Sequence, residues 1–260
     1  MMNERVKRFA GRYTEVVEDC ERFTSLPRSE NHQRESIKKL SNLYAESLDV
    51  HNQMIYEEDE DAANQNLMFR CMINSLRHEL KMWIDLNKKS WDKAWDALVD
   101  SQTFAKSAIS AHETHDKCNV REYIEKLEKI EETVFPSQNF NSPEIYVEKF
   151  TCTICEDDYS DCDHIAGNPY WGRFCQRQAE NIMGMRGAAL VDNPKDKKAR
   201  LQDHVTDDGM IRDQMTWEKR EMTEEEKEKY EGQTEDHFVF RATLMTADDT
   251  PTDFRNYFPE

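Results

Sequence analysis

Four of the seven cysteines of this chain fall within one short run, and a histidine stands among them. The run is Cys152-x2-Cys155-x6-Cys162-x-His164-x10-Cys175. Thiolates and imidazoles are the donors zinc takes in structural sites, about four at a time in a tetrahedron. A Cys-x-x-Cys turn supplies two donors and aims backbone N–H groups at the sulfurs. The second pair must come from further along the chain, where Cys162, His164 and Cys175 compete for two places. Cys162 and His164 are two residues apart, so in an extended segment they point the same way. The expected order is Cys152 and Cys155 first, then Cys175 and His164, then Cys162. Asp157, Asp158, Asp161 and Asp163 add negative charge around the site and favour an outward, solvated loop. A surplus of ligands argues for a closed structural zinc, because a catalytic zinc keeps one position open. Three readings rank behind this one. They are reduced cysteines without metal, disulfides, which would leave an odd cysteine, and a redox Cys-x-x-Cys, which no thioredoxin-like unit frames.

Other constellations are weaker. Ala111-His112-Glu113-Thr114-His115 is not H-E-x-x-H, because its second histidine comes one residue early. His112, His115 and Cys118, at steps of three, could share a helix end as a second metal site. The stronger reading is histidines that favour a helix C-terminal dipole. His78 lies beside Glu79 on a helix whose core face is Leu76, Leu80 and Trp83, and is expected at a surface or boundary. Lys195, Lys197, Lys198 and Arg200, with Arg173 and Arg177, could contact phosphate, and Tyr170 and Trp171 could stack on a base. The competing reading is a solvated turn after Pro194, balanced by Asp192 and Asp196. No G-x-S-x-G elbow is present, and carboxylate pairs in so acidic a chain carry no information.

These residues need elements to position them. Of seven glycines, six follow residue 166, and neither Gly nor Pro occurs between Pro27 and Pro136. Such a stretch reads as helices joined by short polar turns, and it leaves no glycine loop to cradle a phosphate. A first helix is expected over 4–24. Apolar stripes at helical spacing follow: Ile37, Leu40, Tyr44, Leu48 and Ile55, then Leu67 to Trp83, then Trp91 to His112. The acidic block Glu57-Glu58-Asp59-Glu60-Asp61 either carries the second helix onward or breaks it. Asn119 with Glu122 reads as a capping box opening a fifth helix with Tyr123, Leu127 and Ile130 on one face. Strands are expected at 145–150, 188–191, 199–205, 215–220 and 237–244, with a turn at Asp207-Asp208-Gly209. A second capping box, Thr223 with Glu226, opens a short helix.

The 260 residues carry a net charge of −18. The acidity concentrates beyond residue 200 and argues against the chain gripping a phosphate backbone by itself. No apolar run is long enough to span a membrane, and the charged N-terminus reads as no secretory signal.

The run F-T-C-T-I-C-E-D-D-Y-S-D-C-D-H-I-A-G-N-P-Y-W-G-R-F-C, followed by A-A-L-V-D-N-P-K-D-K-K-A-R-L, resembles an uncharacterised group of prokaryotic proteins. There a helical region with a W-D-x-A-W-D-like segment, here Trp91 to Asp96, precedes the same kind of knuckle. The knuckle and the V-D-N-P stretch are also similar to a segment in some phage prohead-protease relatives. The resemblance covers about residues 90–217 and implies a bacterial, archaeal or phage origin. No prohead-protease catalytic Ser and His can be placed, so it implies no activity.

The sequence therefore predicts an α+β protein. Residues 1–136 form an antiparallel all-α helical bundle, 137–144 a linker, 145–246 a small zinc-stabilised α+β module, and 247–260 a loosely ordered acidic tail. The expected function is a non-enzymatic cytoplasmic interaction protein with structural zinc and a protein partner. The alternatives are a nucleic-acid-associated zinc module and a metal-dependent hydrolase or protease-like protein.

Overall fold

A computed structural model describes residues 3–230; the expected strand at 237–244 and the acidic tail lie outside them. The chain is α+β. Five long helices come first: α1 (Glu4–Glu21), α2 (Glu30–Tyr56), α3 (Glu60–Asn87), α4 (Trp91–Ala111) and α5 (Val120–Val134), with a 3₁₀ turn at Glu113–Cys118. Seven strands follow: β1 (Phe140–Cys152), β2 (Pro169–Tyr170), β3 (Arg173–Phe174), β4 (Arg177–Val191), β5 (Asp203–Val205), β6 (Ile211–Asp213) and β7 (Lys219–Arg220). A short helix α6 (Glu224–Tyr230) comes last.

The acidic block breaks the helix. α2 ends at Tyr56, Glu58 turns the chain at φ 55, and the Asp59 carboxylate caps α3 by accepting the Ala62 N–H at 3.0 Å. Without glycine between Pro27 and Pro136, the left-handed conformation that ends a helix falls to Glu58, Lys89 and Asn119. Each costs about 1 kcal/mol for a residue with a Cβ. Asn119 thereby corrects the expected capping box. At φ 51 it closes the 3₁₀ turn instead of taking the extended backbone of an N-cap.

α3 packs against α1, α2 and α4. It is buried on all sides, not along one stripe. Its polar side chains find partners on the neighbours. The Asn66 amide donates to the Ser47 carbonyl at 2.8 Å and Gln65 to Thr114 at 2.9 Å. Ser75 and Ser101 exchange hydroxyl-to-carbonyl bonds at 2.6 and 2.8 Å. Glu79, fully buried, accepts from the Tyr123 hydroxyl at 2.8 Å and from Lys126 at 2.7 Å. His78, expected at a boundary, is buried 3.5 Å from the Asp100 carboxylate. The correction has a simple cause: α3 is enclosed by several helices, so no face is left for solvent.

By backbone proximity the described chain divides into two compact units, residues 3–131 with 147–182, and residues 132–146 with 183–230. The cysteine-bearing segment, placed by the sequence in one module running to residue 246, thus groups with the helices. In the second unit β5, β6 and β7 form an antiparallel sheet, with Val205 opposite Ile211 and Ile211 opposite Arg220. The Asp207-Asp208-Gly209 turn joins β5 to β6, as its composition predicts. Phe135, Phe140, Leu201, Ile211 and Met215 are this unit's buried apolar residues among those described, and near the start of β1 the Asn141 N–H donates to the Ala199 carbonyl at 2.8 Å. The Thr223 capping box forms reciprocally. The Thr223 N–H donates to Glu226 at 2.9 Å, and the Glu226 N–H to the Thr223 hydroxyl at 3.3 Å.

Candidate metal centre

β1 ends at Cys152, and the chain then reverses through Cys155. The reversal is closed by the Glu156 N–H on the Cys152 carbonyl and the Cys152 N–H on the Asp157 carbonyl, both 2.9 Å, and Glu156 takes φ 65. Inside the turn the Ile154 N–H points at the Cys152 sulfur, 3.4 Å away. This is the backbone geometry a Cys-x-x-Cys turn uses to stabilise a thiolate. Asp158 folds the next stretch by accepting the Ser160 N–H at 2.9 Å. That brings Cys162 back over the turn, its thiol donating to the Tyr159 and His164 carbonyls. The Tyr159 and Tyr170 hydroxyls accept the Ala166 and Ile165 N–H groups at 2.9 and 3.0 Å, and the Tyr170 ring meets the His164 ring edge-on at 4.7 Å.

The ligand atoms of Cys152, Cys155, Cys162 and His164 all lie within 4.8 Å of one another and could hold a metal ion. A tetrahedral zinc with sulfurs at about 2.3 Å sets donors about 3.8 Å apart, so the group needs only a small contraction. His164 Nδ1 is buried without a hydrogen-bond partner, and Cys152 is fully buried. Three thiols grouped with an imidazole that carries an unpartnered buried ring nitrogen are the donor pattern of a zinc or other soft-metal site. Cys175 lies outside this group of four, although its sulfur is 3.7 Å from that of Cys152. The expected ranking placed Cys175 ahead of Cys162. The fold of residues 156–164 brings Cys162 and His164 in together.

Burial works against a Cys152 thiolate. The N–H groups of Cys155 and Ile154 and the thiols of Cys155 and Cys175 outweigh it and hold this thiol at about 6. Cys175 is pushed up to about 12, by burial first, then by its hydrogen bond to the Cys152 sulfur and by the Cys152 charge. Several thiolates cannot crowd together uncompensated, whereas a divalent cation reverses the balance and binds them deprotonated. The aspartates stand where the sequence put them, with Asp157, Asp161 and Asp163 exposed.

Cys175 sits at the end of a hairpin. Tyr170 faces Arg173, so β2 and β3 are joined by two residues, Trp171 at φ 50 and Gly172 at φ 70, both in the left-handed conformation that such tight hairpins demand. Its base is tied to the cysteine loop. The Gly167 N–H donates to the Cys175 carbonyl and the Cys175 N–H to the Asn168 carbonyl, both 2.9 Å, and Gln176 and Thr153 bond one another. Its tip rests on the helices. The Gly172 N–H donates to the Asn64 side chain at 2.8 Å, the Trp171 N–H to Glu60 at 3.2 Å, and the Gly172 carbonyl accepts from the buried Arg70 guanidinium. These helix residues were not legible as partners of the cluster, because they lie about a hundred residues away from it in sequence.

The other candidates fare differently. His112 Nδ1 accepts the Thr114 N–H at 3.1 Å and so caps the 3₁₀ turn, while its Nε2 lies 3.2 Å from Asp61. Among the described residues the only candidate metal group is the one at Cys152; His112, His115 and Cys118 are not brought together as one. Arg200, offered by sequence as a phosphate contact, is buried, its guanidinium bonding Gln138 and the Leu201 carbonyl. Its neighbours β1 and Leu201 enclose it. Arg177 stacks over Phe150 and Tyr159, and Tyr170 is engaged by His164. Arg173 and Lys195 are exposed, and Lys197 and Lys198 are half-buried. Among the described residues no helix is long and apolar enough to cross a membrane. The chain matches no protein-family model, no curated protein and no solved structure.

Proposed function

We propose that this chain is a non-enzymatic cytoplasmic interaction protein whose cysteine-rich segment is held by one structural zinc ion on Cys152, Cys155, Cys162 and His164. The observation that carries this reading is the grouping of three thiols and an imidazole within 4.8 Å. Four protein donors fill a tetrahedron and leave no position for an activated water, which is the arrangement of structural zinc. The segment they close has short strands and little apolar burial, so a metal supplies folding energy there. Exposed apolar side chains on β4, Met183 and Met185 at one parity and Ile182 and Leu190 at the other, all 62–71% exposed, support a protein partner. The burial of Arg200 and the stacking of Arg177 weigh against the nucleic-acid alternative.

Cobalt substitution tests the reading. Cobalt(II) in a tetrahedral thiolate–imidazole site gives intense visible d–d and sulfur charge-transfer bands, which one equivalent of zinc would abolish. Weak bands typical of an octahedral oxygen site would contradict it.

A further inference from the structure

We propose that metal binding in the cysteine cluster seats the Trp171–Gly172 turn on α2 and α3, so that metal loss releases the turn and uncovers the helix face around Arg70. The inference rests on the metal reading above and adds a regulated contact to it. Three observations carry it. First, the hairpin has no support of its own beyond two residues per strand, and both of its strands are anchored in the metal loop. β2 is held through the Tyr170 ring on His164 and the Tyr170 hydroxyl on Ile165. β3 is held through Cys175, whose backbone bonds Gly167 and Asn168. An isolated two-stranded hairpin of this length does not persist in water, so its order depends on its two attachments, the cysteine loop at its base and the helix seat at its tip.

Second, the seat is shaped for a bare backbone. A Cβ on Gly172 would stand 2.6 Å from the His51 ring and 3.0 Å from the Ala63 carbonyl. The turn therefore enters between α2 and α3 with no slack, and it does so in a left-handed conformation.

Third, the helices need the turn. Arg70 is 4% exposed, and among the described residues it has no ion-pair partner. Its guanidinium donates to the Gly172 carbonyl, while its Nε has no partner. Its other hydrogen-bond partner is the Tyr44 side chain, so losing the Gly172 carbonyl leaves a buried cation with one neutral partner and no carboxylate. With the turn withdrawn, Arg70 must be hydrated, and the start of α3 opens to water.

Hydrogen–deuterium exchange on the full chain tests this, with one equivalent of zinc and again after EDTA. Chelation is expected to speed exchange about five-fold or more, the lower range of coupled sites, in residues 60–70 of α3 as well as in residues 152–176. Coupling is reciprocal, so Asn64→Ala, which removes the acceptor for the Gly172 N–H, is expected to weaken zinc binding by a similar factor. Gly172→Ala should do the same more strongly. Should that variant fail to fold, Asn64→Ala carries the test alone. Zinc bound at one per chain, with α3 exchange unchanged by EDTA and zinc affinity unchanged in Asn64→Ala, would overturn the coupling and leave the metal reading standing. Failure of the chain to bind zinc at all would overturn both.

Discussion

At the scale of single residues, the cluster offers five donors for four positions. Cys152 is singled out by its surroundings. It is fully buried, it receives an N–H from the turn, and it lies next to Cys175 as well as in the group of four. Cys175→Ser leaves the four grouped donors intact, so we expect about one zinc per chain to be retained, read by elemental analysis after gel filtration. Loss of zinc in that variant would place Cys175 in the coordination shell instead. The cysteine spacing made the cluster legible as a candidate metal site, and the fold groups the Cys-x-x-Cys pair with two of the three later donors. Which of the later donors joins it was not legible. That choice depends on Asp158 and the two tyrosines folding residues 156–170, and each of those interactions is invisible in a spacing pattern. Arg200 teaches the same lesson, since its burial depends on a partner segment some sixty residues earlier.

At the scale of elements, α3 organises the helices. Its apolar stripe was readable, because Leu67, Met68, Met72, Leu76 and Leu80 recur at helical spacing. Its polar burial was not, because the partners of Asn66, Ser75 and Glu79 come from α2, α4 and α5. Local signals did better. The Thr223–Glu226 capping box formed because every atom it uses lies within four residues. The Asn119 box did not, because the 3₁₀ turn before it claims Asn119 for a left-handed cap. The Glu79 site makes a sharp prediction. Its carboxylate is fully buried, and Lys126 is its cationic partner at 2.7 Å. Lys126 is itself 41% exposed and Tyr123 still bonds Glu79, so removing the ammonium leaves the buried carboxylate under-compensated, at a cost of about 1–3 kcal/mol. Lys126→Met should therefore lower unfolding free energy by about that amount in urea titration. A loss below about 0.5 kcal/mol would place the pair among surface bridges that contribute little.

At the scale of the whole molecule, stability should respond to acid earlier than the many carboxylates alone would dictate. His51, beneath the Gly172 turn, is pushed down to about 4 from its ordinary 6.5, chiefly by burial and then by the charges of Arg70 and Arg173. In the unfolded chain it takes a proton near its ordinary value. Folding thus excludes a proton, and stability is complete above pH 6.5 and declines as the pH falls toward 4. The depressed carboxylates act later. Asp208, held down to about 2 by Lys219 and Thr206, contributes above its ordinary pKa of 3.8 and loses that contribution between there and about pH 2. Urea midpoints measured from pH 7 to 4 should fall in the parent chain and fall less in His51→Gln, with zinc content followed in both. Parallel curves would remove His51 from the account.

The central claim is that one zinc ion closes the segment from Cys152 to His164, and it is tested most directly by elemental analysis of protein purified without chelator and under reducing conditions. The account predicts about one zinc per chain, lost in Cys152→Ser. Freshly purified, reduced parent chain containing no zinc and taking up none on addition would contradict it.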